Sequence, residues 1–295
     1  MISIIITSFK EPETIGKCIE SIIDQDIKYD YELIVSAPDL ETLLVAKEYR
    51  QRNSRIKLFK DPGKGKSYAL NLIFPKLKGD VFILTDGDVY MSDESINKIM
   101  EHFKDPNVGC VTGRPVPQEN REDQYGYWAN FLFDAAHQLR KGLFNSERFL
   151  ECSGYLWAFR NNVIGKLPLD VAEDTVMPYF FLEKGYSIAY EENARVYVKN
   201  VDNFEDWMKQ KIRTSKAHET LAKYVNLEIA EKTKSFSNES KGLKYLFTYP
   251  NSLQEFYWTL KLIIARLNMW TRVFYDTKVA GKDYTDNWER VNSTK

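Results

Sequence analysis

The sequence predicts an α/β fold: a mostly parallel central sheet with helices on both faces, followed by a helical C-terminal extension. Two observations carry this. Short apolar runs alternate with stretches of helical periodicity through the N-terminal third. Helical stretches also lie between successive runs, the rhythm of right-handed crossovers in a parallel sheet covered on both faces. With 295 residues, 43% hydrophobic and 14% aromatic, the chain can bury a full core as one large domain or as a domain plus an extension.

SIIIT (3–7) opens the chain as a buried strand, and EPETIGKCIESIIDQ (11–25) follows with apolar residues at helical spacing and Pro12 near its start. YELIVSA (31–37), RIKLFKD (55–61) and GDVFILTD (79–86) repeat the strand signal, with helical stretches at 40–51 and 67–77 between them. This rhythm requires right-handed crossovers and a parallel sheet. The next part is less regular. It has a helical stretch at 122–143, a short strand in CSGYLWAFR (152–160), a helix opening at AEDT (172–175), two short strands around Ser187 and Val196, and a helix from Phe204. The polar segment KTKSFSNESKGLK (232–244) reads as a linker. The expected organisation is a domain over 1–231, divided into halves 1–113 and 114–231, and an extension over 232–295. In that extension Phe256, Leu260, Ile263, Ile264, Leu267 and Phe274 share one helical face, opposite Lys261, Asn268 and Arg272. The apolar face either docks on the domain or rests on a membrane, and docking is the expectation.

Lys and Arg (41) balance Asp and Glu (42), which argues against a nucleic-acid binder. Cys18, Cys110 and Cys152 lie far apart, without metal-site or disulfide-framework spacing, and fit a reducing, cytoplasmic compartment. The opening apolar run reads as a first strand and not as a leader. No window reaches the roughly 18 apolar residues that span a bilayer. The expected protein is soluble, or at most peripheral at the inner face of the membrane.

In a parallel sheet, ligands bind beyond the carboxyl ends of the strands. Thr7, Ser8, Asp39, Asp61, Asp86 and Asp88 occupy those positions. TDGDV ends an apolar strand in two carboxylates separated by Gly87, a pattern that suits a hard divalent cation or a solvated turn. DPGKGKSYALN lacks the glycine of a nucleotide-hydrolase phosphate loop, since Lys60 stands there. It reads as a loop presenting Lys64 and Lys66 to an anion, or as a solvated basic loop. Glu173 and Asp174 open an apolar helix, where they serve chemistry or merely cap it. Gln210 and Arg213 share a helical face, where the arginine binds phosphate or forms a surface ion pair. His102 and His137 sit within helical patterns as packing or surface residues, while His218 follows Arg213 by a turn or so and is a candidate to complete a metal site.

These motifs occur in the order seen in glycosyltransferase family 2, which the chain resembles over about residues 2–215: IIITSFKE, GKSYALN, TDGDV as a D-x-D motif, CSGYLWAFR, and AEDT as a Glu-Asp motif. QKIRTS is similar to the Q-x-x-R-W motif of the hyaluronan- and cellulose-synthase-like members. Thr214 replaces its tryptophan, which leaves processive addition without support. SAPDLET replaces a common Asp-Asp-Gly-Ser run, and Asp39 is the residue there that would contact the base.

The resemblance implies a GT-A fold and transfer, with inversion, of a sugar from a UDP- or GDP-sugar to an acceptor hydroxyl on a glycan or lipid-linked glycan. In that reading Asp88 and Asp86 hold Mn2+ or Mg2+, and Thr7, Ser8, Phe9, Glu11, Asp39, Lys66 and Gln210 bind the donor. Arg213 stabilises the diphosphate, Gly154, Tyr155 and Trp157 line the acceptor side, and Asp174, beside Glu173, is the general base. A sugar-phosphate nucleotidyltransferase and a silent sugar-nucleotide-binding module are the rival readings.

Overall fold

The computed structural model describes residues 1–225 and 243–280. Eight strands form one sheet: β1 (Ile2–Thr7), β2 (Tyr31–Ala37), β3 (Ile56–Lys60), β4 (Val81–Asp86), β5 (Val89–Met91), β6 (Val108–Pro117), β7 (Leu156–Arg160) and β8 (Ser187–Val198). Their spatial order is β3-β2-β1-β4-β7-β6-β8-β5. The first four pair in parallel, as the alternation of strands and helices along the chain predicts. β7 is antiparallel to both neighbours, and β6 is parallel to β8, so the sheet is mixed beyond β4.

Among the described residues the α-helices are α1 (Ile15–Ile23), α2 (Leu40–Arg52), α3 (Lys66–Ile73), α4 (Ser95–His102), α5 (Gln124–Asn145), α6 (Glu173–Glu183), α7 (Phe204–Glu219), α8 (Leu243–Thr248) and α9 (Leu253–Phe274). Alternation along β1 divides its side chains between two layers. Ile2, Ile4 and Ile6 pack with α1, α2 and α4, whereas Ile5 packs with α3 and α6.

The segment 89–117, to which the sequence assigned no element, supplies β5, α4 and β6. β6 contains two prolines and no clear alternation. The two short strands expected around Ser187 and Val196 are one 12-residue strand. The irregularity there lies in pairing, since the β6–β8 register shifts between Gly113 and Arg114. Most of the expected linker at 232–244 falls outside the described residues.

α9 packs on α5 and α7, with Leu262, Ala265, Met269 and Val273 buried against Tyr127, Trp128 and Trp207. Arg121 donates to Glu255 at 3.0 and 2.6 Å, Tyr127 and Thr259 share a 2.6 Å hydrogen bond, and Trp128 Nε1 donates to the Trp258 carbonyl at 2.8 Å. The helix thus docks by a different face from the one expected. Phe256, Leu260, Ile264, Leu267 and Phe274 are exposed, because polar anchors at Glu255 and Thr259 fix the opposite side inward.

Candidate active site

The site forms where β1 and β4 end side by side, with Thr7 opposite Asp86. Thr7 Oγ1 donates to Asp86 Oδ1 at 3.2 Å, and the Gly87 amide donates to the Thr7 carbonyl at 2.9 Å. A β-carbon on Gly87 would stand 2.4 Å from Ser8 Oγ, so only glycine lets the acidic turn approach the loop after β1. Within that loop Ser8 Oγ donates to Glu11 Oε2 at 2.6 Å. Phe9 is half-buried and lies under the Lys10 ammonium, 5.4 Å from the ring centroid. Lys10 takes φ 55°, a left-handed conformation uncommon for a residue with a side chain. The Asp39 carboxylate stabilises it by accepting the Lys10 amide at 2.8 Å.

Asp39 also caps α2, accepting the Thr42 amide at 2.9 Å, while the Glu11 amide donates to Thr42 Oγ1 at 2.9 Å. Burial opposes the Asp39 charge, but these donors outweigh it and hold the carboxyl below its ordinary range. The residue expected at the base therefore also positions the loop after β1. Nearby Asp61 is buried beneath the ends of β2 and β3, accepting from Ser36 Oγ at 3.0 Å and the Gly63 amide at 2.8 Å. Burial pushes its carboxyl up.

Gly65, at φ 101°, turns the chain into α3 and projects Lys66 across the ends of the strands. Lys66 Nζ lies 2.7 Å from Asp86 Oδ1 and 2.8 Å from Glu173 Oε1. Burial alone would lower its pKa, but the two carboxylates hold it well above the lysine range. The ammonium expected on a diphosphate is thus shared between two acids, one from each half of the domain.

Tyr155 follows Gly154 in the segment before β7, its carbonyl accepting from Thr85 Oγ1 at 2.8 Å. Burial and the negative charges of Asp88, Asp86 and Asp174 push its phenol far up, and the Arg213 guanidinium opposes them. One side chain therefore senses four of the expected functional charges. Cys18 is likewise pushed up by burial and by Asp88, Glu11 and Asp86. Asp174 sits in the first turn of α6 against Gly154, where an added β-carbon would be 2.9 Å from its Oδ2.

Two expected residues take other places. Trp157 is fully buried in the core beside Phe159, because β7 pairs between β4 and β6, so it packs and does not face an acceptor. His218 is only 1% exposed, with Nδ1 3.0 Å from the Thr214 carbonyl and Nε2 2.9 Å from Glu151 Oε2. Both ring nitrogens are thus engaged by protein atoms, which corrects its assignment as a metal ligand. Gln210 is half-buried on α7 one turn before Arg213, and its carbonyl accepts from Thr214 Oγ1. The sequence reading missed Glu151, which also accepts from Tyr179 OH at 2.9 Å. Its partnership with His218 spans 67 residues, and no local pattern marks such a pair.

Among the described residues, no group of three or more His, Cys, Asp and Glu side chains is arranged to hold a metal. Asp86 and Asp88 nevertheless fit a hard divalent cation by their chemistry: both are partly exposed carboxylates, one at the end of β4 and one just beyond it, separated by a single glycine. Such an ion would take its remaining ligands from water and substrate oxygens.

The fold and the pair of acids at the end of β4 define a GT-A architecture. The mannosyltransferase PcManGT from Pyrobaculum calidifontis, in complex with GDP-Man and Mn2+, superposes with a TM-score of 0.64 at 17% identity, covering 95% of this chain and 84% of that one. Glucosyl-3-phosphoglycerate synthase from Mycobacterium tuberculosis, in complex with Mn2+, UDP and phosphoglyceric acid, gives 0.51 at 16% identity, covering 77% and 80%. Residues 3–167 match glycosyl transferase family 2, and the chain belongs to that family. An N-acetylglucosaminyltransferase of Rhizobium meliloti is 24% identical over 243 residues, 73% of this chain and 55% of the relative. A hyaluronan synthase of Streptococcus pyogenes is 22% identical over 167 residues, 52% of this chain and 40% of the relative. The chain thus spans less than two thirds of the length of these curated relatives.

Proposed function

We propose that this protein transfers a sugar, with inversion, from a UDP- or GDP-sugar to a hydroxyl of a glycan or lipid-linked glycan. The observation that carries the reading is the Lys66 ammonium, 2.7 Å from Asp86 at the end of β4 and 2.8 Å from Glu173, the neighbour of Asp174 in the first turn of α6, which brings the strand-end acids and the expected base to one site. The named activity of the N-acetylglucosaminyltransferase relatives supports a nucleotide-activated N-acetylglucosamine as the first donor to test.

Asp88 and Asp86 hold Mn2+ or Mg2+, whose chemistry is to offset the charge that grows on the leaving diphosphate. Thr7 and Lys66 fix the Asp86 carboxylate for that role. The loop Thr7–Ser8–Phe9–Glu11, steadied by Asp39, receives the nucleoside. Arg213, preceded on its helix by Gln210, stabilises the diphosphate with a second positive charge. Asp174 accepts the proton of the acceptor hydroxyl as its oxygen attacks the anomeric carbon opposite the diphosphate. Gly154 leaves room for that carboxylate, and Tyr155 forms the wall between donor and acceptor.

A thermal-shift screen of UDP-, GDP- and dTDP-sugars with and without Mn2+ tests the reading. We expect a rise in Tm with one nucleotide class that requires the cation, followed by release of the nucleoside diphosphate when acceptor is added. Release of pyrophosphate, or indifference to every nucleotide-sugar, would contradict it.

A further inference from the structure

The outer face of α9 concentrates the exposed apolar surface of the described chain. Of eighteen large hydrophobic side chains that are exposed, ten lie between Phe247 and Val279. Leu253 (90% exposed), Ile264 (67%) and Phe274 (63%) belong to one stripe with Tyr257, Leu260 and Leu267. Over the 22 residues of α9 this ridge extends for about 33 Å. Apolar ridges of that extent mark interaction surfaces.

Charge indicates what covers it. Glu255 is the only acid in α9, and it is turned inward onto Arg121. The basic residues are Lys261, Arg266 and Arg272, and helical geometry sets Lys261 and Arg272 along one border of the ridge. Tyr257 and Tyr275 stand at the ridge margin, where rings with a polar tip suit an interface between water and hydrocarbon. Two copies of this ridge laid together would oppose basic borders, whereas an anionic lipid surface complements both the ridge and its border. Among the described residues no helix is long and apolar enough to cross a membrane, so such a helix would lie in the plane of the surface.

We propose that the outer face of α9 seats this protein on an anionic bilayer. The ridge enters the headgroup region, and Lys261 and Arg272 meet lipid phosphates. Seating places α7, which carries Arg213 and packs against α9, close to the surface. The proposal does not depend on the transfer reaction, because binding is read without donor or acceptor.

Flotation of the full chain with vesicles tests it, comparing pure phosphatidylcholine with an equal mixture of phosphatidylcholine and phosphatidylglycerol. We expect flotation with the anionic vesicles that weakens in high salt and falls at least about tenfold in Ile264→Glu/Leu267→Glu. Both positions are exposed, so an unchanged Tm will confirm that the variant folds. Lys261→Gln/Arg272→Gln should lose the preference for anionic vesicles. Failure to float with either vesicle, or flotation of Ile264→Glu/Leu267→Glu equal to the parent, would overturn the proposal. So would a dimer that this variant converts to monomer without any vesicle binding in the parent, which would assign the ridge to a second copy.

Discussion

The Lys66 ammonium lies 2.8 Å from the Glu173 carboxylate while also contacting Asp86, so one side chain ties α3 and β4 to the first turn of α6. Glu173 is only 5% exposed, and removing its cation leaves a buried charge without this partner. Lys66→Met should therefore lower stability by about 3–5 kcal/mol, and adding Glu173→Gln should restore a substantial part of it. The folded pKa of Lys66 is raised. Its contribution is then fully present below the unfolded lysine value of about 10.4 and is lost only as pH rises through the higher folded value. Denaturant titrations of parent and variant should show the same gap across the neutral range and a shrinking gap in strong alkali.

Asp88 tests the cation. If Asp88 holds a divalent ion between protein and diphosphate, calorimetry with the cognate nucleoside diphosphate should show affinity that depends on Mn2+ in the parent. Asp88→Ala should lose that dependence along with at least roughly tenfold in affinity. Unchanged affinity and metal response would remove the cation from this acid pair.

Gly154 probes the room left for Asp174. A methyl group there would stand 2.9 Å from Asp174 Oδ2, so Gly154→Ala must displace the carboxylate. Transfer should fall by about 10²-fold, with donor affinity nearly unchanged, as misplacement by an ångström predicts. Steady-state kinetics together with donor calorimetry separates the two effects.

His218 and Glu151 join α7 to the segment before β7. The Thr214 carbonyl can only accept, so His218 Nδ1 donates to it and Nε2 faces Glu151 Oε2 at 2.9 Å. His218→Ala should cost roughly 2–4 kcal/mol by leaving Glu151 buried without that partner. Glu151→Gln keeps an acceptor for Tyr179 and offers an N–H to the imidazole, so it should cost less. Urea denaturation of both variants gives the comparison.

The parallel half of the fold was legible because unbroken apolar runs such as IIIT and VFIL admit few alternatives, and strand-end polar residues marked Thr7, Ser8 and Asp86. The antiparallel insertion of β7 was not, since LWAFR carries no sign of its partners. Trp157 and His218 were misread for a related reason. Their local patterns resemble site residues, but sheet register and a contact 67 residues away decide where they point. For α9, two apolar faces compete, and Glu255 with its partner Arg121 selects the less apolar one for burial.

The most direct test of the account is the transfer rate and donor affinity of Asp174→Asn, measured beside Glu173→Gln. Asparagine keeps the shape of Asp174 but cannot accept the proton of the acceptor hydroxyl. We expect a loss of about 10²- to 10⁴-fold in turnover with donor affinity almost intact, and a smaller loss for Glu173→Gln. Near-normal transfer by Asp174→Asn would contradict the assignment of Asp174 as the base.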